Sequence, residues 1–400
     1  MAARLLRILG VTTALLLVGC AGRPVGNLVE VSATADGAST VDMLVATTRA
    51  PVSDPSGVLF GGERAHGLKF ADISVSIPPD ANRKIGDIQW PSHSPGDPSR
   101  DFVAHRVQAY DLAGIRADFD KRLEASKSKQ VLVFVHGYNT RFEEAVFRFA
   151  QVVHDSKADV VPVLFTWPSR GQALSYFYDR DSAVYSRDAL EDVLAALVAN
   201  PKVRKVAILA HSMGNYVTVE ALRQMAIRDK GLPAKVTDIM LASPDIDVDV
   251  FRRQIAEIEQ NDKAPPVTLF VSQDDVALSL SKMLFGDEPR LGAVNPTVEP
   301  YRGILEKAHV HVVDLTKIHT DDALNHGKFA SSDVVVAIGN RLATGQPLTD
   351  GKATIGETVG AIAINAAGVT AKVTQAATSF SEPGAEKSID TEDPPKAASP

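Results

Sequence analysis

A serine with the surroundings of a catalytic nucleophile lies near the middle of the chain. Ser212 is part of the motif AHSMG (residues 210–214), between an apolar run and an amphipathic run. This order matches the nucleophile elbow Gly-x-Ser-x-Gly, a sharp strand-to-helix turn that exposes the serine Oγ and requires small neighbours. Ala210 replaces the usual first glycine and adds one methyl group. The alternative is a serine that only caps the helix beginning at Met213.

Aspartates that could complete such a site follow Ser212 in the sequence. A serine hydroxyl is a weak nucleophile, so it needs a histidine base and a carboxylate that fixes the tautomer of that histidine. Four aspartates come after later apolar runs: Asp245, Asp247, Asp274 and Asp275. Asp245 and Asp247 have a simpler explanation as helix caps, because they precede a predicted helix and anions are favoured at a helix N-terminus.

Four histidines come after these aspartates: His309, His311, His319 and His326. His309 and His311 alternate along a predicted strand and point to one face, which indicates packing or edge positions. Their spacing also suits a metal, but no third ligand has an argued position, so we predict no metal site and no cofactor. His319 and His326 lie in the loop beyond that strand, where a catalytic base is expected.

The segments that must position these side chains alternate between short apolar runs and amphipathic runs, which predicts a mostly parallel sheet flanked by helices, an α/β fold. Predicted strands cover residues 131–135, 160–165, 205–210, 236–242, 267–271 and 310–315, and predicted helices cover residues 142–156, 181–199, 213–229 and 248–259. Further strands at residues 41–46, 73–77 and 102–110 predict an N-terminal antiparallel extension. Loops at the carboxyl ends of parallel strands converge on one edge, where we expect Ser212 and its partners.

Composition and charge describe a globular protein. The chain has 400 residues, of which 45% are apolar, and its 42 basic and 49 acidic side chains give a net charge of −7. These values exclude disorder throughout the chain, and the mild acidity gives no electrostatic reason to expect nucleic acid as a partner. Because Cys20 is the single cysteine, an internal disulfide and a cysteine-rich zinc site are excluded.

Both ends of the chain differ from the part between them. Residues 1–19 have the pattern of a secretory signal peptide, with an apolar run too short to cross a hydrocarbon layer of about 30 Å. The sequence LVGC that ends at Cys20 resembles a bacterial lipobox, which implies a diacylglycerol on the thiol and a membrane anchor; an ordinary signal with a chance cysteine is the alternative. The composition of residues 20–39 predicts a flexible linker, and that of residues 346–400 predicts a largely disordered, low-complexity tail.

Five segments, taken in order, carry a family resemblance. They are VHGYNTRFEEAVFRFAQ (135–151), FTWPSRG (165–171), AHSMGN (210–215), ASPDID (242–247) and VSQDDVAL (271–278). Together they resemble the α/β-hydrolase fold and, more narrowly, the bacterial esterase/lipase-like family called domain of unknown function 900. The resemblance runs from about Val41 to Leu342, so we expect one α/β-hydrolase domain over residues 40–345.

The resemblance also implies the roles of individual residues. In this fold the catalytic residues follow the chain order serine, acid, histidine. The resemblance places the acid at Asp275 and the base at His326, with Asp274 and His319 as alternatives. It further implies an oxyanion hole that is formed by the backbone N–H groups of Tyr138 and Met213. His136, which precedes this loop, is expected to hold the loop rather than to act as a base.

The expected activity is hydrolysis of small or soluble carboxylic esters through an acyl-enzyme. No long apolar lid helix is visible, which disfavours a dedicated triglyceride lipase. Trp167 and residues 176–178 supply aromatic side chains near the predicted edge, and the turn-rich residues 285–305 are expected to cover the site in part.

Two functions remain open from the sequence. One is the serine hydrolase, and the other is a catalytically silent lipoprotein that uses the fold for binding or envelope interaction. The set Ser212, Asp275 and His326 favours the enzyme, because a binding role places no demand on all three. In either case the lipid anchor at Cys20 predicts an extracytoplasmic location at the bacterial cell envelope, on its periplasmic face.

Overall fold

A ten-stranded sheet organises the computed structural model, which describes residues 27–53, 57–259, 264–308, 310–344 and 363–364. The strands are β1 (Ser39–Pro51), β2 (Phe60–Ile77), β3 (Val103–Tyr110), β4 (Gln130–Val135), β5 (Val161–Thr166), β6 (Lys205–His211), β7 (Val236–Ala242), β8 (Val267–Val271), β9 (His311–Asp314) and β10 (Ala363–Ile364). Their order across the sheet is β10-β9-β8-β7-β6-β4-β5-β1-β2-β3. Seven neighbouring strands, from β1 to β9, pair in parallel, and β2, β3 and β10 add antiparallel edges.

Eight α-helices connect or flank these strands in the described part of the chain. They are α1 (Leu112–Ala125), α2 (Phe142–Ser156), α3 (Tyr176–Ala199), α4 (Met213–Asp229), α5 (Val248–Ile258), α6 (Val276–Leu284), α7 (Tyr301–Lys307) and α8 (Ser332–Thr344). Over the same residues, none of the helices combines the length and the apolar character that crossing a bilayer requires.

The hydrophobic core lies on both faces of the sheet, as the continuous apolar strands predict. In β4 the side chains of Val131, Val133 and Val135 belong to one apolar cluster, which contains the buried side chains of α3, α4 and α5. Leu132 and Phe134 belong to a second cluster, which contains those of α2 and α8. Successive side chains of a strand point to opposite faces, so one uninterrupted apolar run serves both halves of the core.

The predicted fold class is confirmed, including the antiparallel extension at β2 and β3. Helix α3 begins at Tyr176, five residues before the predicted start, and the helices α1, α6, α7 and α8 were not predicted. A tertiary contact accompanies this earlier start of α3. The Tyr176 hydroxyl donates a hydrogen bond to Asp245, a partner 69 residues away that the local sequence pattern does not contain.

The linker predicted for residues 20–39 differs from the structure in its described part. From Asn27 onward the chain lies against the edge strand β3, with Leu28 and Val31 buried. The Val31 N–H donates to the carbonyl of Ala104 at 2.8 Å, which supplies a partner to a strand that otherwise has an open edge.

Several predictions concern positions outside the described residues. They are the signal peptide, the lipidation of Cys20, the tail apart from residues 363–364, and the side chain of His309.

Candidate active site

Ser212 occupies a sharp turn between β6 and α4. Its backbone has φ +54° and ψ −126°, a conformation that costs free energy and that surrounding contacts must maintain. The Ser212 N–H donates to the carbonyl of Ala242 at 2.9 Å, and the side-chain amide of Asn215 donates to the carbonyls of Ser212 (2.9 Å) and Ala242 (2.8 Å). The Ser212 side chain makes no capping hydrogen bond to α4, so the helix-cap alternative is wrong.

Two glycines allow the loop after β4 to approach this turn. A Cβ on Gly214 would lie 2.3 Å from the carbonyl oxygen of His136, and a Cβ on Gly137 would lie 2.7 Å from the Cβ of Ser212. Neither position tolerates a side chain without movement of the backbone. The close contact brings the peptide that precedes Tyr138 next to the start of α4, where Met213 follows the serine.

Asp275 and His326 form a hydrogen-bonded pair. The distance between Asp275 Oδ2 and His326 Nδ1 is 2.7 Å, and the other carboxylate oxygen accepts the Leu278 N–H at 2.9 Å, which caps α6. Burial lowers the pKa of His326, but the charge of Asp275 and its hydrogen bond outweigh burial and raise that pKa above its ordinary 6.5. Because Nδ1–H donates to the carboxylate, the neutral imidazole carries its lone pair on Nε2.

The alternative acid, Asp274, has a different set of partners. Its carboxylate accepts from Lys328 Nζ at 2.7 and 2.8 Å, and the Lys328 side chain is buried. Asp322 accepts the backbone N–H groups of His326 and Gly327, each at 2.7 Å. Asp274 and Asp322 therefore fix the loop that carries His326, whereas Asp275 contacts its ring.

The remaining candidates lie elsewhere. His319 is exposed, and His311 lies on β9. Asp247 caps α5 as predicted, because its carboxylate accepts hydrogen bonds from the N–H groups of Asp249 at 2.9 Å and Val250 at 3.0 Å. For Asp245 the prediction of a helix cap is wrong, because its carboxylate accepts hydrogen bonds from Tyr176 and Ser281, both at 2.6 Å.

Metal binding finds no support in the described ranges, where no group of three or more histidine, cysteine, aspartate or glutamate side chains could hold an ion.

The structure brings Asp275 and His326 together but does not join Ser212 to them directly. Among the described residues, Ser212 Oγ makes no hydrogen bond to the His326 imidazole. His211, which precedes Ser212 in the chain, contacts His326 instead, with a distance of 4.6 Å between the two ring centroids. Burial and the neighbouring charge of His326 lower the pKa of His211 well below 6.5, so a neutral His211 donates from Nε2 to the carbonyl of His326 at 3.1 Å.

His136 holds the loop after β4, as predicted. It is buried, and burial together with the nearby Arg49 lowers its pKa to about 3, which leaves the ring neutral. The ring stacks on Trp167 at a centroid distance of 4.8 Å, and the Trp167 indole N–H donates to the His136 carbonyl at 2.8 Å. Trp167 is fully buried by these contacts, so it does not supply the surface near the site that its position in the sequence suggested.

The two chain neighbours of Ser212 line separate cavities. His211 lines a cleft of about 670 Å³, here called the His326 cleft, which also includes His326 and Gly137. Met213 lines a smaller pocket of about 30 Å³, here called the Arg290 pocket, which also includes Arg290. Further residues of the pocket are Tyr176, Arg180, Tyr216, Asp245, Ile246, Asp247 and Val250.

Sequence reasoning missed two residues that shape this site. Asn215 supports the turn at Ser212 and belongs to the motif AHSMGN. A polar side chain at the start of a buried helix indicates a hydrogen-bonding role, so the sequence does contain a signal for this residue. Arg290 lies in a turn-rich segment that has no periodicity, and nothing in the local pattern indicates that it is buried.

Comparison with known proteins agrees with this architecture. The family described as alpha/beta hydrolase of unknown function (DUF900) matches residues 112–343, which is more than half of the chain. An uncharacterized protein of Nostoc sp. (strain PCC 7120) is 26% identical over 132 residues, and the similar region covers 27% of this chain and 34% of that protein. The chain thus spans about a third of the length of this curated relative.

Proposed function

Because the chain belongs to the alpha/beta hydrolases of unknown function (DUF900), we propose that it is a serine hydrolase that cleaves carboxylic esters. The observation that carries this proposal is the Asp275–His326 hydrogen bond of 2.7 Å, formed beside a serine held at φ +54°. A buried carboxylate that orients an imidazole is the support a serine nucleophile requires. A role in ligand binding alone places no demand on Ser212, Asp275 and His326 together.

In the proposed mechanism, Ser212 Oγ attacks the ester carbonyl while His326 Nε2 takes its proton. His326 then gives the proton to the departing alcohol, and Asp275 keeps Nδ1 protonated throughout. Backbone N–H groups of Tyr138 and Met213 stabilise the negative oxygen of the tetrahedral intermediate. Water repeats the cycle on the acyl-enzyme and releases the acid.

The missing hydrogen bond between Ser212 and His326 is compatible with this mechanism. Catalytic hydrogen bonds are often long or poorly aligned without substrate and tighten when the substrate binds. In the proposed sequence of events, the ester enters the His326 cleft and the serine hydroxyl turns toward Nε2. The volume of the cleft, about 670 Å³, lies within the range of roughly 300–1,000 Å³ that is typical of small-molecule sites.

A fluorophosphonate probe tests the proposal, because it reacts covalently with an activated serine. We expect the folded protein to be labelled once, at Ser212, and we expect no labelling of Ser212→Ala or of heat-unfolded protein. Mass spectrometry of the labelled peptide identifies the site. If the native protein is not labelled, the hydrolase proposal is wrong and the alternative of a silent binding protein is favoured.

We also propose that the mature protein is anchored to the membrane of a bacterial cell envelope through a lipid on Cys20. The support is the lipobox-like sequence that ends at this cysteine. A substrate would then be a small ester that reaches the extracytoplasmic side.

A further inference from the structure

Arg290 is a buried cation whose hydrogen-bonding capacity is incompletely used. Only 5% of the residue is exposed. Within the residues that the structure describes, neither Nε nor Nη2 of its guanidinium donates a hydrogen bond, although both atoms are buried. Removing a charged donor from water without a partner is costly, so such a group indicates a missing acceptor.

The nearest carboxylate does not supply that acceptor. Asp245 Oδ1 lies 3.6 Å from Arg290 Nε, a distance at which the charges attract but no hydrogen bond forms. The two oxygens of Asp245 already accept hydrogen bonds of 2.6 Å from Ser281 and Tyr176. Asp245 therefore balances part of the charge of Arg290 and leaves its donors unsatisfied.

A second arginine contacts the same aromatic ring as the first. The guanidinium carbon of Arg180 lies 4.4 Å from the centroid of the Phe285 ring, and that of Arg290 lies 4.3 Å from the same centroid. In the described part of the chain Arg180 forms no salt bridge and makes only aromatic contacts, with Phe285 and Tyr216. Both arginines line the Arg290 pocket, as do two carboxylates. Asp245 accepts hydrogen bonds from Tyr176 and Ser281, and Asp247 caps α5, so neither satisfies the unused donors of Arg290.

The backbone fixes Arg290 in this position. The N–H of the next residue, Leu291, donates to the carbonyl of Ile246 at 2.9 Å. A Cβ on Gly292 would lie 2.5 Å from the backbone of Ser243, so this glycine lets the segment pack directly on the loop after β7. The backbone next to Arg290 is thus held against the loop after β7.

The Arg290 pocket has room for a small polar group, and one of its lining residues follows the proposed nucleophile in the chain. Its volume of about 30 Å³ exceeds the roughly 10–15 Å³ that one water molecule needs, so the pocket is not too small for a polar group of a ligand. Both arginines and Met213 line it, and Met213 directly follows Ser212. A substrate that is bonded at the serine and reaches past Met213 would place a polar group in this pocket.

We propose that Arg290, together with Arg180, binds a free carboxylate of the substrate, so that the protein prefers esters whose acyl part carries this group. Arginine binds a planar carboxylate through two parallel hydrogen bonds, which matches the unused donors. The inference rests on the proposed hydrolase function, because it names the substrate class of that site.

The first test compares two ethyl esters with acyl chains of four carbons, monoethyl succinate and ethyl butyrate. We expect wild type to hydrolyse monoethyl succinate with the higher kcat/KM, as measured by proton release at constant pH. Arg290→Gln should reduce this preference by about 10- to 100-fold, the usual worth of a hydrogen-bonded charge pair. Arg302→Gln, a change in an exposed arginine of α7 that pairs with Glu299, is the matched control and should keep the preference.

A second arm does not depend on turnover. We expect succinate to raise the Tm of Ser212→Ala more than sodium chloride or sodium sulfate at equal ionic strength, and we expect Arg290→Gln in that background to remove the difference. If Arg290→Gln folds poorly, Arg180→Gln replaces it, because Arg180 is partly exposed on α3.

The two arms separate the possible failures. Equal kcat/KM values for both esters in wild type and Arg290→Gln would overturn the carboxylate inference and leave the hydrolase intact. An equal effect of sulfate or chloride in the second arm would also overturn it, since it would indicate unspecific anion binding. Succinate binding that depends on Arg290, without hydrolysis of either ester, would support carboxylate binding and refute the hydrolase.

Discussion

At the scale of single residues, the protonation of His326 decides whether the proposed chemistry runs. The base must be neutral at Nε2 to accept the serine proton. Asp275 stabilises the protonated ring and raises the pKa of His326 above 6.5, so more alkaline conditions are needed to obtain the neutral base. The same carboxylate therefore orients the histidine and shifts its working range.

Ester hydrolysis should accordingly increase with pH through a midpoint above 6.5 and be lost as His326 becomes protonated at lower pH. The measurement is kcat/KM across pH with an uncharged ester. In Asp275→Asn the main raising influence is gone, while burial and the smaller raising effects of Asp245 and Asp322 remain, so the midpoint of the residual activity should move down. A midpoint that stays in place would show that another group controls the profile.

Paired variants distinguish the two members of each candidate pair. Asp275→Asn should reduce kcat by about 10⁴-fold, as the wrong histidine tautomer does in a comparable triad, whereas Asp274→Asn should act mainly on stability. His326→Ala should be as severe as Ser212→Ala, and the double variant should lose no more, because the residues act as a unit. His319→Ala is the matched control and should leave kcat unchanged.

Reversed sensitivities, with Asp274 or His319 as the essential residue, would refute the assignment but not the hydrolase. If kcat is unaffected in all four of Asp275→Asn, Asp274→Asn, His326→Ala and His319→Ala, the mechanism is wrong.

At the scale of elements, the turn at the end of a strand determines which partners the side chains of adjacent residues contact. Asp274 and Asp275 are adjacent in the sequence, yet one holds the backbone of the His326 loop through Lys328 and the other binds the ring. The choice between them came from a family resemblance. The sequence pattern alone left both open, because it does not specify the direction in which each side chain leaves the turn.

The close packing of α4 against the loop after β4 gives an element-level prediction. Gly214→Ala places a methyl group 2.3 Å from a backbone oxygen. We expect the free energy of unfolding to fall by about 1–3 kcal/mol or more, and ester hydrolysis to decrease as well. Gly303→Ala in α7 is the matched control, because its Cβ would meet only the flexible end of Glu299 at 3.0 Å. Urea unfolding measures both. Equal stabilities would mean that the helix can shift without cost.

Strands were easier to predict than the contacts between elements. The predicted strand at residues 267–271 and the predicted helix at 213–229 coincide with β8 and α4, because apolar periodicity reports burial directly. The burial of Arg290 and the cluster around Asp245 could not be predicted, since each depends on partners that only the tertiary fold brings together. The packing of residues 27–31 on β3 has the same origin.

At the scale of the whole molecule, one sheet edge collects residues that are far apart in the chain. The loops after β4, β6, β8 and β9 supply Tyr138, Ser212, Asp275 and His326. The strand order β9-β8-β7-β6-β4 places these loops side by side. The fold thus needs no separate domain to complete the candidate site.

Attachment to the membrane is the prediction that concerns the molecule as a whole. Lipidation requires the thiol, so Cys20→Ser should release the mature protein from the membrane fraction without changing its ester hydrolysis in detergent-free buffer. Fractionation followed by immunoblotting measures the distribution. A variant that stays in the membrane fraction as fully as wild type would refute anchoring through Cys20.

The separation of the two cavities at Ser212 has a consequence for the kinetics of turnover. His211 and Met213 open onto different cavities, so the two halves of a cleaved ester would occupy different sides of the serine. An alcohol leaving through the His326 cleft need not pass the acyl group, which is still bonded to Ser212 and whose free carboxylate Arg290 would hold. The acyl-enzyme mechanism releases the alcohol first, and the vacated cleft would then be open to a second alcohol as well as to water. Such an enzyme would transfer acyl groups as well as hydrolyse them.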